Sequence, residues 1–402
     1  MTHNTKRHPM EGSDTSVTMW ALVYDTKKDG WDSSTGLRKE RVPRPRLDEA
    51  EDSFDAENVI VRLQYTGFCG SDRGLWFRQA FKRMIYESLE AEGKTTRIIG
   101  HELLGEVSEV GSVVASRYGF SVGDLVAAES HITCGKCHNC QQGDRHVCER
   151  ERIIGFSRDG CFAEYIKLPA EVLWHTDRNR IHPMVGAIQE PFGNAVHAAT
   201  KVDLRGKRVA IFGTGPIGLF TTLTARAMGA SKIIGIEPNE ENARLAERLG
   251  IDEVVRFTPN KDWRSDPDVV KAVQRFGENE DGVDVAFEMA GYNSSLNNAI
   301  ASTRQGGDVI LFGIKSGDFQ LENFSQIIVR GISLHSVIGR QIFQTWEVTR
   351  RLLESKENQI HDRLFNVILN EGHDTVVHID DYNIEDFEQR IMSHPKMLIK
   401  WS

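Results

Sequence analysis

Four of the six cysteines fall in one short stretch, Cys134, Cys137, Cys140 and Cys148, spaced Cys-x2-Cys-x2-Cys-x7-Cys. Four thiolates in a compact loop can close a tetrahedral zinc shell and leave no reactive coordination position. An iron–sulfur centre is the chemical alternative, because four sulfurs also suit iron. The loop lies in a β-patterned region ahead of a glycine-rich turn, which favours zinc. Cys161 reads as an ordinary core cysteine. The segment Met1 to Thr18 is polar and charged, with no apolar signal core, and reads as a loose tail. A chain with reduced thiols uses such a cluster for metal rather than for disulfides.

A second constellation is dispersed. Cys69 lies in Gly67-Phe68-Cys69-Gly70-Ser71-Asp72, His101 in Gly100-His101-Glu102, and Glu190 in Gln189-Glu190-Pro191-Phe192-Gly193-Asn194. One thiolate, one imidazole and one carboxylate can hold zinc and still leave a position for water or substrate. Each residue also has a plain structural reading. Cys69 packs beside a glycine turn, His101 is a satisfied core histidine, and Glu190 caps the helix that follows it.

The turn Gly213-Thr214-Gly215-Pro216-Ile217-Gly218 follows the apolar run Val209 to Phe212 and opens an apolar helical run from Pro216 to Met228. In that context Gly213 permits the tight turn, Gly215 a close approach to pyrophosphate, and Gly218 the packing of helix on sheet. The helix terminus would stabilise the phosphate charges. Glu237, after the run Ile233 to Ile236, stands where a carboxylate accepts from ribose hydroxyls and repels the extra phosphate of NADP. NAD is therefore expected in preference to NADP.

These groups need scaffolds. From Met19 to about Pro169, short β-like runs such as Val59 to Leu63 alternate with glycine turns, interrupted by a charged, helix-compatible stretch from Arg78 to Glu92. From about Glu190 a βαβ alternation sets in: strands at Val209 to Phe212, Lys232 to Ile236, Val254 to Phe257, Val283 to Phe287 and Asp308 to Phe312. Helices are expected at Glu240 to Leu249 and Ser295 to Thr303, and a parallel sheet covered by helices is the natural packing. Later runs at Trp346 to Leu353 and Ile384 to Met392 read as helices that return to the first domain. With 402 residues, 40% of them hydrophobic, two domains are expected. The net charge of -9 supplies no global cationic surface for nucleic acid. No apolar run is long enough to span a bilayer, so a cytoplasmic protein without membrane or nucleic-acid partners is expected.

Taken together, these motifs make the chain resemble the zinc-dependent medium-chain dehydrogenase family, in particular its L-threonine 3-dehydrogenase branch. The resemblance runs through Glu129 to Cys134, Gly160 to Tyr165, Glu190 to His197 and Gly339 to Trp346. It implies a GroES-like catalytic domain over residues 19–189 and 345–402, interrupted by a Rossmann dinucleotide-binding domain over 190–344, with 1–18 as a flexible tail. It implies one structural and one catalytic Zn2+ per chain, the latter at Cys69, His101 and Glu190 with Glu102 as an alternate ligand. Asp72 would orient His101, and Ser71 would begin a proton relay. A homo-oligomer, dimer or tetramer, is also implied.

The chain departs from that branch at Gly74, where the relatives place a relay histidine. The segment from Cys69 to His101 is also longer than usual and carries Arg73, Arg78, Lys82, Arg83 and Lys94, which could recognise a polar or anionic substrate or simply face solvent. The expected activity is oxidation of a secondary alcohol to a ketone with hydride transfer to NAD. A polyol, sugar derivative or amino alcohol is the expected substrate, with L-threonine as the alternative. A nucleotide-binding or structural protein that retains the fold without catalysis is the rival class.

Overall fold

A computed structural model of the chain describes residues 17–259, 262–277, 279–314 and 317–402. The tail expected over 1–18 lies, but for its last two residues, outside them.

The first half is organised by one long strand, Asn58–Phe68, whose residues Val59, Ile60, Val61 and Leu63 are fully buried. It pairs antiparallel with three others: Glu102–Val110, Tyr165–Pro169 and, from the far end of the sequence, Met397–Lys400. The C-terminal strand thus completes the sheet of the first half, as the return of the chain required. Gly67 faces Glu102 in this register, so the strand end that leads into Cys69 lies against the strand start that follows His101. A Cβ on Gly67 would lie 1.9 Å from Glu102 Oε2; glycine there makes room for a carboxylate.

The second half is a six-stranded parallel sheet. Across it lie Glu253–Val255, Lys232–Ile236, Arg208–Phe212, Val283–Glu288, Thr303–Leu311 and Ser333–Ser336. The chain builds outward from Arg208–Phe212 to one edge, then restarts on its other side with Val283–Glu288. That reversal opens a crevice at the carboxyl ends of these two neighbours, where parallel sheets of this kind bind ligands. Helices begin where the sequence supplies caps. Pro216 opens Pro216–Ala227, Asn239 accepts from the Asn242 amide at 3.0 Å to start Glu240–Arg248, and Asp266 accepts from Asp268 ahead of Pro267–Arg275. Val283–Glu288 is buried along its whole length, as a central parallel strand must be.

The charged stretch from Arg78 to Glu92 resolves into a turn and a helix, Lys82–Glu92. Ile85 and Leu89, four residues apart, turn one face of it onto the core, while its charges face outward. Ahead of it the short helix Gly70–Trp76, invisible to hydrophobic periodicity, carries Ser71 and Asp72.

Candidate functional site

Cys69 ends the long strand and caps Gly70–Trp76; its amide donates to Asp72 Oδ2 at 2.9 Å. The other oxygen of Asp72 lies 3.3 Å from His101 Nδ1, an ion-pair approach rather than an aligned hydrogen bond, since neither atom has a bonded partner. On the far side of the ring, Nε2 is 3.3 Å from Ser71 Oγ. One short helix therefore grips the imidazole at both nitrogens.

Ligand atoms of Cys69, His101 and Glu102 lie within 4.8 Å of one another. Glu190 stands outside that group. Its Oε1 accepts from Ser130 Oγ at 2.7 Å and pairs with Arg340 Nη1 at 2.8 Å, while its Oε2 is buried without a partner. Glu102 pairs through Oε2 with the buried Lys396, whose ammonium also donates to the Phe68 carbonyl at 3.2 Å, and its Oε1 is likewise unpartnered. A thiolate, an imidazole and an orphaned carboxylate oxygen in one buried niche fit zinc chemically.

Burial works against a charge on His101, yet the Asp72 carboxylate and the Cys69 thiol beside it lift its pKa well above the ordinary imidazole range. That shift favours the protonated ring, whose additional proton a divalent ion must displace. Proton competition grows as pH falls, so zinc affinity at this cluster is expected to fall with pH. Competition against a chromophoric chelator at stepped pH measures it, and a pH-independent affinity would contradict the assignment.

The four clustered thiols, Cys134, Cys137, Cys140 and Cys148, also lie within 4.8 Å of one another. Backbone amides are aimed at the sulfurs: Cys134 N donates to Cys148 Sγ at 3.3 Å, Cys137 N to Cys134 Sγ at 3.3 Å and Arg150 N to Cys148 Sγ at 3.4 Å. Amide donors draw the Cys134 thiol down to about 6, while burial pushes Cys140 up to about 12. The amide donors favour the thiolate at Cys134, while burial disfavours it at Cys140. Cys161 is separate, buried in the core with its Sγ against the Glu102 carbonyl.

At the glycine turn, a Cβ on Gly218 would sit 2.0 Å from the Gly213 carbonyl oxygen, so helix and turn meet only because glycine is there. A Cβ on Gly215 would meet nothing within 4 Å, which leaves open space where pyrophosphate approaches in this motif. Glu237 is buried, with Oε2 accepting from the Thr214 amide at 2.7 Å and from the Thr214 hydroxyl at 3.2 Å. Its Oε1 accepts from the Asn239 amide at 2.9 Å. Both carboxylate oxygens thus brace the turn and the start of the next helix. Pro216 and Ile217 form the first turn of the helix that follows the glycine turn.

Most cations of the lengthened segment are occupied within the protein. Arg73 donates to the Ile391 carbonyl, and Lys94 pairs with Asp159 at 3.1 Å. Arg78 is buried, donating to the Leu75 and Gly36 carbonyls, and lies over the Tyr24 ring. These three are structural, which removes them from the substrate-recognition role considered above. Lys82 and Arg83 line a cleft with Phe81 and Met84 while pairing with Asp32 at 3.6 Å and Glu87 at 2.7 Å. Phe81 packs on Phe156 at 4.4 Å between ring centres, and Phe156 in turn lies 5.4 Å from the His101 ring. Gly74 accepts from the Gln79 and Ala80 amides, and a Cβ there would come within 3.1 Å of Ala80 Cβ. The turn into the inserted helix thus takes the space around the missing imidazole.

Sequence reading missed two charged residues. Lys396 opens the buried strand Met397–Lys400, and the only signal was a lysine directly before an apolar run. Arg340 sits in a motif that was noticed but given no task.

Two family models match: an alcohol dehydrogenase GroES-like domain over residues 55–178 and a zinc-binding dehydrogenase domain over residues 216–355. The chain is 33% identical over 339 residues to the L-threonine 3-dehydrogenase of Caldanaerobacter subterraneus, covering 84% of this chain and 88% of that one. To the L-threonine 3-dehydrogenase of Pyrococcus furiosus it is 36% identical, over 74% of this chain and 80% of the relative. The fold matches the crystal structure of a 2R,3R-butanediol dehydrogenase from Bacillus subtilis with a TM-score of 0.76 at 24% identity, over 96% of this chain and 100% of that one. The two layers and two ligand clusters define a zinc-containing, nicotinamide-linked dehydrogenase. The chain belongs to the zinc-dependent medium-chain dehydrogenase family, with a GroES-like domain joined to a Rossmann-type one. Among the described residues no helix is long and apolar enough to cross a membrane.

Proposed function

We propose that this enzyme oxidises the secondary hydroxyl of a small amino alcohol, L-threonine first among them, to the ketone with reduction of NAD. The observation that carries the reading is the placement of Ser71 Oγ against His101, beside Cys69 and Glu102, in a chain that aligns with L-threonine 3-dehydrogenases over most of its length. Bound zinc would supply Lewis-acid stabilisation of the alkoxide charge, and the nicotinamide would accept the hydride. Cys69, His101 and a neighbouring carboxylate, Glu102 or Glu190, would hold the metal. Asp72 fixes the direction of the His101 ring. Ser71 is placed to relay the proton of the substrate hydroxyl, its oxygen accepting that proton as its own hydrogen passes on through cofactor ribose or water. The turn Gly213 to Gly218 receives pyrophosphate, and Glu237 disfavours a phosphorylated ribose, so NAD should bind more tightly than NADP in direct isotherms.

A second reading, a larger secondary alcohol such as a polyol or sugar derivative, is favoured by the packing of Ala80 over Gly74 and by the cleft at Phe81. Ratios of kcat/KM for L-threonine, cyclic polyols, amino sugars and their phosphorylated counterparts decide between the two. A marked preference for L-threonine supports the first reading, and a marked preference for any larger alcohol replaces it with the second.

A second copy of the chain is the proposed partner. Ser333–Ser336 is the outer strand of the parallel sheet, with Ile328 and Val329 in the preceding helix 69% and 77% exposed. An open edge beside exposed aliphatic residues suits pairing with its own kind. Ile328→Glu combined with Val329→Glu is expected to shift the sedimenting species to monomer, and an unchanged mass would contradict this interface.

A further inference from the structure

Two carboxylates stand near the Cys69–His101 pair, and each is held by one buried cation. Lys396 holds Glu102, which lies within the ligand group, and Arg340 holds Glu190, which lies outside it. Each carboxylate keeps one buried oxygen without a partner, Glu102 Oε1 and Glu190 Oε2. Either oxygen is chemically able to meet a metal. Which one does so depends on the restraint applied to the other end.

The restraint on Glu190 is the more extensive. Arg340 and Ser130 both engage its Oε1. Arg340 is itself fixed: Nε donates to Glu129 Oε2 at 2.8 Å, Nη2 pairs with Glu129 Oε1, and Nη1 donates to Asn194 Oδ1 at 2.8 Å. Trp346 Nε1 anchors Glu129 from the other side at 2.8 Å. Gly193 leaves the passage for this side chain, since a Cβ there would lie 2.8 Å from Arg340 Cδ. The guanidinium, Glu129 and Glu190 are all buried, so the charges meet with little screening by water. The planar fork gives Glu129 two contacts through Nε and Nη2 and reaches Glu190 through Nη1.

We propose that Arg340 is a positioning residue that keeps Glu190 off the metal, leaving Cys69, His101 and Glu102 as protein ligands and one position open for the alcohol. The inference rests on the catalytic-zinc reading above. Without the guanidinium, Glu190 is a buried, uncompensated carboxylate, and the neighbouring dication is the charge it would turn to. Four protein ligands would close the coordination shell, as in structural sites.

The test uses the cobalt(II)-substituted enzyme with imidazole as a probe for the open position. Because Arg340 alone cannot be removed without stranding Glu129, the variant is Glu129→Gln with Arg340→Met. Its ligand-field spectrum is expected to differ from wild type before any imidazole is added, and its imidazole affinity to be weaker by about tenfold or more. Adding Glu190→Gln to that variant should restore the wild-type response, which a merely structural role for Arg340 does not predict. Ser130→Ala removes a hydroxyl bonded to both Glu190 and Arg340 but no charge, and should move affinity in the same direction by a smaller factor. Wild-type imidazole affinity in both variants, or a loss that persists with Glu190→Gln, overturns the proposal. A wild type that binds cobalt and imidazole yet oxidises no secondary alcohol overturns the functional reading alone.

Discussion

Cys140→Ser is expected to leave most of the protein unfolded or aggregated, and the soluble remainder to hold one zinc per chain rather than two. Structural zinc contributes about 10–16 kcal/mol of apparent binding free energy in small zinc-finger peptides, against a typical whole-domain stability of about 5–15 kcal/mol. Losing one of four ligands therefore removes an amount comparable to the stability margin itself. The loop has little else to replace it. Its turns are short, and the amides of Cys134, Cys137 and Arg150 point at sulfurs that need to be thiolates. A loss of about 10 kcal/mol would lower the melting temperature by roughly 20–40 °C in a domain of about 200 residues. Metal analysis with thermal unfolding checks both parts, and a variant that keeps two zinc ions and wild-type melting would show that the cluster is not a metal site.

The second large effect lies in the chemistry. Ser71→Ala should lower kcat by about 10²–10⁴, the range supplied by a positioned proton acceptor, while metal content and NAD affinity stay near wild type. The hydroxyl is held 3.3 Å from His101 Nε2 by a helix that also carries Asp72, so its removal deletes a proton station without disturbing the scaffold. A loss confined to KM would assign Ser71 to binding alone. A loss smaller than threefold would place the first proton carrier elsewhere, with water the leading substitute.

Residues adjacent in sequence were the legible ones. The four thiols share one loop, and the glycine turn lies between a strand and a helix that announce themselves by period and composition. Cys69 and His101 are brought together by a strand register, Gly67 opposite Glu102, and no spacing encodes a register. The family resemblance supplied that pairing. It did not supply the roles of Lys396 and Arg340, because each acts on a carboxylate far away in the chain. The basic segment misled for a related reason: a run of charges looks alike whether it faces solvent, binds a ligand or, like Arg78, is buried against backbone carbonyls. Glu237 does follow its strand, but its bond to the Thr214 amide depends on side-chain direction that the sequence does not display.

The measurement that tests the account most directly is NAD reduction by the fully zinc-loaded enzyme with L-threonine protiated or deuterated at the carbinol carbon, repeated after the metal is stripped and after zinc is restored. The account predicts reduction of NAD that slows with the deuterated alcohol, disappears on stripping and returns with zinc. Reduction at the same rate by stripped protein, or none with L-threonine or any other secondary alcohol at full metal loading, would contradict it.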